Sequence, residues 1–340
     1  MMTVRAKDIA ELLNISPATV SLVLNNKPGV SETTRSKVIS KINELGYEHL
    51  LKKDPSFTEN ILFIVYKKHG QIIMDSPFYP FLIENIEANV RKNGYKLIVS
   101  YVESEHISYQ IEQLKSSSNK GLLVFATEML EDDAAYFCDL NIPFVIMDNY
   151  FRGRAFDSVS INNSYGTYLA VKHLVEMGHS KIGYLKSKVH INSFDERIQD
   201  FFTILKDLQI EGMDKYVFEI GYPAENSYSD FKKILEDKRE LPTAFLSDHD
   251  LITYGVSKAL KEGGYRIPED VSLIGFGDRP ICKIMEPNLT TIGVPKDSFG
   301  SLAVKILLDK INDHMLQDDN SFLKVQVGTS LIKRDSVMKL

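Results

Sequence analysis

The sequence predicts a small all-α head at the N-terminus and a larger α/β body made of two lobes, each built around a parallel sheet. The first fifty residues contain only helical patterns of apolar residues. From residue 61, short apolar runs alternate with amphipathic helices in two successive series, which is typical of parallel sheets covered by helices. A chain of 340 residues is also too long for one ordinary core. We therefore expect a head over residues 1–50, a linker over 51–60 and a body over 61–340.

The composition is that of a soluble globular protein, with 44% hydrophobic and 25% charged residues. No apolar run reaches the roughly 18–20 residues of a membrane helix, so no membrane partner is expected. The N-terminus lacks an apolar segment followed by a small-residue cleavage site, which predicts a cytoplasmic protein. Cys138 and Cys282 are far apart and form neither a disulfide framework nor a metal-ligand spacing. Neither a metal nor a cofactor is expected.

Charge is distributed unevenly along the chain, whose net charge is −6. Residues 1–53 carry eight Lys or Arg and five Asp or Glu, a net charge of +3, so the remainder carries −9. A basic head on an acidic body indicates that any binding to a polyanion is confined to the head.

Three helical patterns follow one another in the head. The second begins at Ser16-Pro17, because the serine hydroxyl can accept a backbone N–H and proline has no N–H to satisfy at the first helical position. Ser31 caps the third pattern, which is expected to end at Gly46. The predicted apolar stripes are Ile9, Leu12 and Leu13; Val20, Val23 and Leu24; and Val38, Ile42 and Leu45.

Two helices joined by a turn of about four residues and closed by a third are typical of a helix-turn-helix module. The polar face of the second helix carries small side chains, which would let it enter a major groove without steric clash. Its hydroxyls and Asn25 can reach phosphates, while its first turn reaches base edges. The alternative is a small helical bundle whose polar helix only faces water.

The stretch "AKDIAELLNISPATVSLVLNNKPGVSETTRSKVISKINELGY" resembles the DNA-binding head of the LacI/GalR family of bacterial transcription regulators. The positions that match the family pattern are Asp8, Ala10, Ser16, Thr19, Val20, Ser21, Val23, Asn25, Val30, Ser31, Thr34 and Arg35. The resemblance implies DNA contacts through Ser16, Pro17, Ala18, Thr19, Ser21, Leu22, Asn25, Ser31 and Thr34. Among these, Pro17, Ala18 and Leu22 would read the bases.

Leu22 departs from the family, which most often has an arginine at this position. Arginine can donate hydrogen bonds to guanine, whereas leucine offers only apolar contact, for instance with a thymine methyl group. We therefore expect an operator that differs from the usual half-site at one position. The alternative is that Leu22 packs against the turn and reads no base.

The linker also departs from the family, whose hinge "Y-x-P-N-x-x-A-R-x-L" forms a helix and inserts leucines into the minor groove. This chain has "YEHLLKKDPSFTENILF" instead. Either Leu50 or Leu51 inserts, with Lys52 and Lys53 on phosphates, or the segment is a flexible tether. The sequence favours the tether, because Asp54-Pro55 would end any helix early.

The alternation of strand and helix patterns in the body predicts two Rossmann-like lobes. One covers residues 61–160 and 290–320, and the other covers residues 161–289 and 321–340. Ligands of such folds bind at the carboxyl ends of the strands, hence in the cleft between the lobes. The segments "SINNSYGTYLAVKHLVEMGHSKIGYL" and "IPEDVSLIGFGDRPICKIMEPNLTTI" resemble the same family. That resemblance implies a body similar to periplasmic sugar-binding proteins, three crossings between the lobes, and a homodimer that meets a near-palindromic operator.

The resemblance also implies an effector site in the cleft. Its expected residues are Phe78, Tyr79, Asp148, Ser193, Arg197, Tyr222, His249 and Asp278. Asp148 would accept hydroxyl protons, and Arg197 would donate to sugar hydroxyls or to a carboxylate. Phe78 and Tyr79 could equally be aromatic residues that pack within a lobe.

Two departures affect the identity of the ligand. The family's "A-N-D" is Asp248-His249-Asp250 here, and its "G-F-D-D" is Gly275-Phe276-Gly277-Asp278, which removes an aspartate that holds sugar hydroxyls. These changes indicate a ligand that is less simply a sugar, or no small ligand at all. A role for His249 as a metal ligand or catalytic base is not expected, since no cluster or nucleophile accompanies it.

The sequence thus predicts a dimeric regulator, most often a repressor, whose carbohydrate-like effector closes the lobes and changes the spacing of the heads. One alternative is a regulator switched by a protein partner or a non-sugar metabolite. Another is a doubly wound α/β enzyme, which is disfavoured because the chain has no P-loop and no G-x-G-x-x-G motif after Ile274.

Overall fold

A computed structural model describes residues 6–25, 27, 29–44, 47, 59–74, 78–312 and 321–340. The chain divides into two compact units, a head unit over residues 1–58 and a body unit over residues 59–340. The predicted linker lies outside the described residues up to position 58, and so do Leu50, Leu51, Lys52 and Lys53. Within the described ranges, no helix combines the length and the apolar character needed to cross a membrane.

The head unit contains three helices, α1 (Ala6–Leu13), α2 (Pro17–Leu24) and α3 (Glu32–Glu44). Their shared core is formed by Ile9, Ala10, Val20, Val23, Val38 and Ile42, all buried. Leu24 and Leu13 pack against this core, and Leu45 lies outside the described residues. The prediction for Leu12 is wrong: its side chain is 60% exposed, because Ala10 takes the core position next to Ile9.

The body unit begins with an alternation of strands and helices that forms the first lobe. In chain order its elements are β1 (Asn60–Lys67), α4 (Gln71–Met74), α5 (Phe78–Lys92), β2 (Lys96–Glu103), α6 (Ile107–Lys115), β3 (Gly121–Phe125), α7 (Glu131–Ala134), β4 (Phe144–Met147) and β5 (Ser158–Ile161). The central strand β1 is an unbroken apolar run because helices cover both faces of a parallel sheet.

The second part of the body continues the alternation and then returns to both lobes. In chain order its elements are α8 (Asn163–Glu176), β6 (Ile182–Ser187), α9 (Asn192–Asp207), β7 (Val217–Ile220), α10 (Ala224–Glu236), β8 (Ala244–Ser247), α11 (Asp250–Glu262), β9 (Ser272–Gly277), β10 (Thr290–Gly293), α12 (Lys296–Ile311), β11 (Lys324–Val327) and β12 (Ser330–Ile332). Four short 3-10 turns join some of these described elements.

The strands form two six-stranded sheets, as the predicted fold class requires. The first lobe has the order β11-β5-β4-β3-β1-β2 and the second has β12-β10-β9-β8-β6-β7. All neighbouring strands are parallel except β12, which runs antiparallel to β10. The chain therefore passes between the lobes after β5, after β10 and after β11.

The predicted lobe boundaries at residues 290 and 321 are each wrong by one strand. Residues 290–293 form β10, which pairs with β9 in the second lobe. Residues 324–327 form β11, which pairs with β5 in the first lobe. Only α12, between these two strands, packs in the core of the first lobe as expected.

A glycine fixes the close approach of α10 and α11 in the second lobe. A Cβ atom on Gly255 would lie 2.2 Å from the carbonyl oxygen of Ala224 and 2.2 Å from the hydroxyl of Ser227. Backbone cannot yield to such a contact in the way that a flexible side chain can, so the two helices would have to move apart.

We predict that Gly255→Ala lowers the free energy of unfolding by about 3 kcal/mol, because the new methyl group overpacks this helix contact. The measurement is urea unfolding followed by circular dichroism. Gly328→Ala is the matched control, since a Cβ atom there has no neighbour within 4 Å. Equal unfolding midpoints for the two variants would contradict the prediction.

Candidate functional site

The head unit presents the predicted DNA-contacting side chains on the surface of α2 and at the start of α3. Of these side chains, Ser16, Pro17, Ala18, Ser21 and Ser31 are exposed, while Thr19, Leu22, Asn25 and Thr34 are half-buried. The opposite face of α2 forms the core through Val20 and Val23. The helix therefore offers a face of small polar groups at its N-terminal end.

Serine hydroxyls cap two helices of the head in the same way. The Ser16 hydroxyl accepts from the Thr19 N–H at 3.0 Å and lies 2.8 Å from the Thr19 hydroxyl. Ser31 repeats this arrangement with Thr34, at 3.3 Å from the N–H and 2.8 Å from the hydroxyl. These caps satisfy end amides of α2 and α3, so they fix where each helix begins.

Leu22 combines features of both interpretations given above. One of its methyl carbons lies 3.7 Å from the position that a Cβ atom on Gly29 would occupy, so part of the side chain packs beside the turn. The Lys27 N–H also donates to the Leu22 carbonyl at 2.8 Å. The rest of the side chain remains accessible, since Leu22 is only half-buried.

The body unit contains a cleft between its two lobes, at the carboxyl ends of the strands. Its empty space is about 660 Å³ including the open mouth. The lining residues are Ile72, Phe125, Thr127, Asp148, Ile161, Ile191, Ser193, Phe194, Arg197, His249, Phe276, Gly277, Arg279, Val294 and Lys296. Both lobes contribute, and nearly every lining residue follows or ends a strand, as expected for ligand sites in doubly wound folds.

Four of the predicted effector residues line this cleft: Asp148, Ser193, Arg197 and His249. Tyr222 is buried directly behind His249, with the ring centroids 5.3 Å apart in an edge-on arrangement. It therefore supports the histidine ring and is not a wall of the cleft. The side chain of Phe78 lies outside the described residues.

Tyr79 and Asp278 are not part of the cleft lining. Tyr79 packs against Phe125 and Phe63, with ring centroids 6.1 and 6.2 Å apart, so it supports the cleft wall from within the first lobe. Asp278 forms an ion pair with Arg334 at 2.5 Å. That pairing directs its carboxylate to the C-terminal segment, and the expectation that it faces the ligand is wrong.

Arg197 is a buried cation whose hydrogen-bond partners among the described residues are neutral groups. Its side chain is 6% exposed. Its Nε donates to the Asn163 amide oxygen at 2.9 Å, and its Nη1 donates to the backbone carbonyl of Asp248 at 2.5 Å. The guanidinium also lies 3.6 Å from the ring centroid of Phe276. Burial lowers the pKa of Arg197, although the guanidinium stays charged at neutral pH.

Asp148 directly follows β4 and has an unusual backbone conformation, with φ at +62°. Its Oδ2 accepts a hydrogen bond from the Thr127 hydroxyl at 2.6 Å. Desolvation raises the pKa of Asp148 from its ordinary value to about 6, against the opposing effects of Thr127 and Arg197. A left-handed backbone at a non-glycine residue inside a cleft is typical of functional positions.

His249 is buried, neutral and held in one tautomer. Burial, together with the charges of Arg279 and Arg197, holds the pKa of His249 well below its ordinary value. Its Nδ1 accepts from the Leu251 N–H at 3.2 Å, so the ring hydrogen must be on Nε2. That Nε2 is buried and has no hydrogen-bond partner within the described residues. His249 therefore brings to the cleft lining a buried donor that no described residue satisfies.

Two buried carboxylates hold the backbone around these side chains. Asp248 accepts from the Tyr184 hydroxyl and from the Ser187 N–H, each at 2.6 Å, and burial raises the pKa of Asp248 to about 7. Asp250 accepts from the Thr291 hydroxyl at 2.6 Å and from the Arg279 N–H at 2.9 Å. The second contact fixes the backbone at the start of the Arg279 side chain.

Gly277 replaces the aspartate of the family pattern for a backbone reason. Its φ is +127°, a conformation that residues with a side chain rarely adopt. A Cβ atom there would lie 3.2 Å from a carboxylate oxygen of Asp250. The missing acceptor is thus part of the local loop geometry.

Sequence reasoning missed Thr127, Arg279, Lys296 and the apolar walls Phe125, Phe194 and Phe276. Their positions along the chain could have identified them as candidate lining residues. They lie at or just after the ends of β3, β9 and β10 or at the start of α9 and α12, where ligands of such folds bind. No group of three or more His, Cys, Asp or Glu side chains is placed to hold a metal ion in the part of the chain that the structure describes.

Comparisons with known proteins agree with this architecture. Residues 6–49 match a family profile described as bacterial regulatory proteins of the lacI family. Residues 171–337 match a periplasmic binding protein-like domain. An HTH-type transcriptional repressor PurR from Haemophilus influenzae (strain PittEE) is 30% identical, with 98% of each chain covered.

Two solved structures share the fold. A complex of the transcriptional regulator CelR with cellobiose superposes with a TM-score of 0.73 at 21% identity, covering 98% of this chain and 100% of that one. The lac repressor dimer bound to operator and the anti-inducer ONPF has a TM-score of 0.71 at 23% identity, with 99% and 100% covered. At these identities the similarity shows the fold alone.

The raised pKa of Asp148 predicts a specific pH dependence of stability. At pH 7.5 the wild-type carboxylate is ionised in both the folded and the unfolded chain, so its burial is fully unfavourable. Near pH 4 it is protonated in the folded chain but still partly ionised in the unfolded chain, so most of the penalty is gone. Asp148→Asn should therefore stabilise the protein by about 2 kcal/mol at pH 7.5 and by less than about 1 kcal/mol near pH 4. Chemical unfolding at several pH values measures this.

The matched control is Asp207→Asn, which makes the same change at an exposed position at the end of α9. It should leave the pH profile of the wild type unchanged. A stability difference for Asp148→Asn that stays constant from pH 4 to pH 7.5 would contradict the assignment.

Proposed function

The chain belongs to the lacI family of bacterial regulatory proteins, and from this membership we propose that it is a cytoplasmic, dimeric repressor that binds a near-palindromic operator under the control of a small molecule bound in the cleft. Its relatives are transcriptional repressors and not enzymes. The observation that carries the DNA-binding part of the proposal is the exposed, capped N-terminal end of α2, with Pro17 and Ala18 on its surface.

Small side chains explain how α2 would dock. Proline and alanine at the first two helical positions leave room for the helix to approach base edges in a major groove. Ser16, Ser21 and Ser31 are exposed residues whose hydroxyls could contact phosphates, and such contacts position the helix without reading sequence. Specificity would then depend on Pro17, Ala18 and the accessible part of Leu22.

The cleft supports control by a small molecule. It lies at the carboxyl ends of strands from both lobes, and both lobes contribute side chains to its lining. A ligand that contacts both lobes would favour one relative orientation over another, and its differential affinity sets the size of the switch. CelR binds cellobiose with the same fold, which agrees with a small-molecule effector here. The more specific sequence-based expectation, a carbohydrate-like effector, stays a prediction.

An exposed sheet edge supports the homodimer. Strand β2 ends the first sheet and pairs only with β1, so one edge of its backbone has no strand partner in the described sheet. Ile98, Val99 and Tyr101 on this strand are exposed, and so are Phe81 on α5 and Tyr109 on α6. An open edge beside apolar side chains is a surface that proteins usually cover.

We predict that Leu22→Arg changes the preferred base at one symmetric position of each operator half-site, towards guanine, because arginine can donate two hydrogen bonds to that base. Selection from a randomised operator library measures the preference. The expected discrimination at that position is about 1–3 kcal/mol. Leu12→Arg is the matched control, since Leu12 is an exposed leucine on α1. An unchanged preference for Leu22→Arg would show that Leu22 does not face the bases.

We predict that Val99→Lys converts the dimer into monomers, because a lysine at the open edge of β2 opposes strand-edge association. Sedimentation velocity measures the mass, and operator binding should weaken by about tenfold or more because two heads no longer act together. Leu208→Lys makes the same type of change at an exposed leucine after α9. A Val99→Lys protein that remains dimeric would contradict this interface.

A further inference from the structure

The charged side chains of the cleft are unbalanced. Arg197 and Lys296 line it, whereas Asp148 is the only acidic residue among the described lining residues; Arg279 also lines the cleft but already has an interaction partner. Lys296 is half-buried at the start of α12. A concave site with this excess of positive charge concentrates anions.

We propose that the effector is an oxyanion, a carboxylate or phosphate group carried on a flat apolar body, and that Arg197 and the Nε2 of His249 receive its charged oxygens. This inference rests on the proposed function, because it names the chemical class of the molecule that occupies the cleft.

The strongest support is the environment of Arg197. No carboxylate oxygen lies within 4 Å of its guanidinium nitrogens in the described ranges, and its hydrogen bonds go to an amide oxygen and a backbone carbonyl. Within those residues its Nη2 makes no hydrogen bond, and the charges of Asp248, Asp148 and Glu196 favour the ionised guanidinium only from beyond ion-pair distance. A buried charge is costly unless a counter-charge and hydrogen bonds compensate it. A bound oxyanion would supply both.

The second support is His249, which is 5% exposed and lines the cleft. Its Nδ1 is already an acceptor for the Leu251 N–H, so Nε2 carries the hydrogen and is a buried donor without a described acceptor. Leaving such a donor unsatisfied is unfavourable. Neutral imidazole can donate to an anionic oxygen without itself requiring a counter-ion.

The N-terminus of α9 adds to the same preference. Ser193 and Phe194, in its first turn, line the cleft. A helix of sixteen residues directs the positive end of its dipole towards this point. Together with the donors above, the helix end favours a negative group at the floor of the cleft.

The walls determine the rest of the ligand. The rings of Phe125, Phe194 and Phe276 and the aliphatic side chains of Ile72, Ile161, Ile191 and Val294 line the same cavity. Such surfaces favour an apolar or aromatic body. A neutral polyol fits less well, because its hydroxyl protons need acceptors. Asp148 is the sole lining carboxylate, one of its oxygens already accepts from Thr127, and Gly277 provides no side chain.

The test compares probes that differ only in charge. Benzoate and phenyl phosphate are the anionic probes, benzamide and benzyl alcohol are their neutral counterparts, and ribose and cellobiose represent sugars. Calorimetric titration and thermal unfolding of the full-length protein measure binding at millimolar concentrations. We expect benzoate or phenyl phosphate to bind at least about tenfold more tightly than its neutral counterpart, as charge-assisted hydrogen bonds predict.

Variants identify the groups responsible. Arg197→Met should remove the preference for the anion. Lys296→Met should weaken anion binding by about threefold. This second variant tests the proposal independently of whether Arg197→Met folds. Arg239→Met is the matched control, because Arg239 is exposed and packs over Phe218 outside the cleft lining. It should bind the probes as the wild type does.

Operator binding is measured on the same samples, so the two proposals can fail separately. Saturable binding of ribose or cellobiose, with no preference for anions, would overturn the proposal that the effector is an oxyanion. It would leave the proposal of a repressor controlled by a small molecule intact. Failure of both anionic probes to bind would also overturn the oxyanion. Loss of sequence-specific operator binding by the wild type would instead overturn the proposed function.

Discussion

A buried guanidinium organises the second lobe around the cleft. Arg197 projects from α9 and holds Asn163 at the start of α8, the carbonyl of Asp248 after β8, and the ring of Phe276 at the end of β9. Four elements therefore meet at one cation. Because a buried charge is unfavourable without compensation, these contacts fix the positions of their partners closely. His249 remains neutral mainly because it is buried, and the positive charges of Arg279 and Arg197 lower its pKa further.

Buried carboxylates play the complementary role at the strand ends. Glu128 is fully buried, and its two oxygens accept from the N–H groups of Lys68, His69, Gly70 and Ile72. This contact shapes the segment after β1 and places Ile72, from the first lobe, in the core cluster of the second. Asp248 and Asp250 hold the segments after β6 and β9 in the same manner. The segments that line the cleft thus donate backbone hydrogen bonds to buried carboxylates. The shape of the cleft therefore depends on charge and hydrogen bonding as much as on apolar packing.

The sequence predicted those parts of the structure that depend on local periodicity. Helical stripes such as Val20 with Val23 follow from the 3.6-residue repeat, and the α/β alternation followed from short apolar runs. The exchange of β10 and β11 between lobes could not be read in this way, because it depends on which distant strand each one pairs with. The site shows the same limit. Asp148, Ser193, Arg197 and His249 line the cleft as the motifs implied, whereas Asp278 pairs with Arg334 fifty-six positions later, and no local pattern records that contact.

Among the departures from the family, Gly277 follows the local backbone, whereas Leu22 and His249 change side chains on the head and in the cleft lining. Ser16 and Ser31 cap helices, and Arg197 joins elements of the lobe, so changing any of them would leave internal groups unsatisfied. Leu22 packs partly beside the turn and is otherwise accessible, and His249 uses Nδ1 within the protein while its buried Nε2 has no partner among the described residues. A change at such a position alters what is recognised at little cost to folding. The family framework therefore accounts for the fold, and under the proposed function the choice of operator and ligand would depend on a few surface and cleft groups that the framework leaves free to vary.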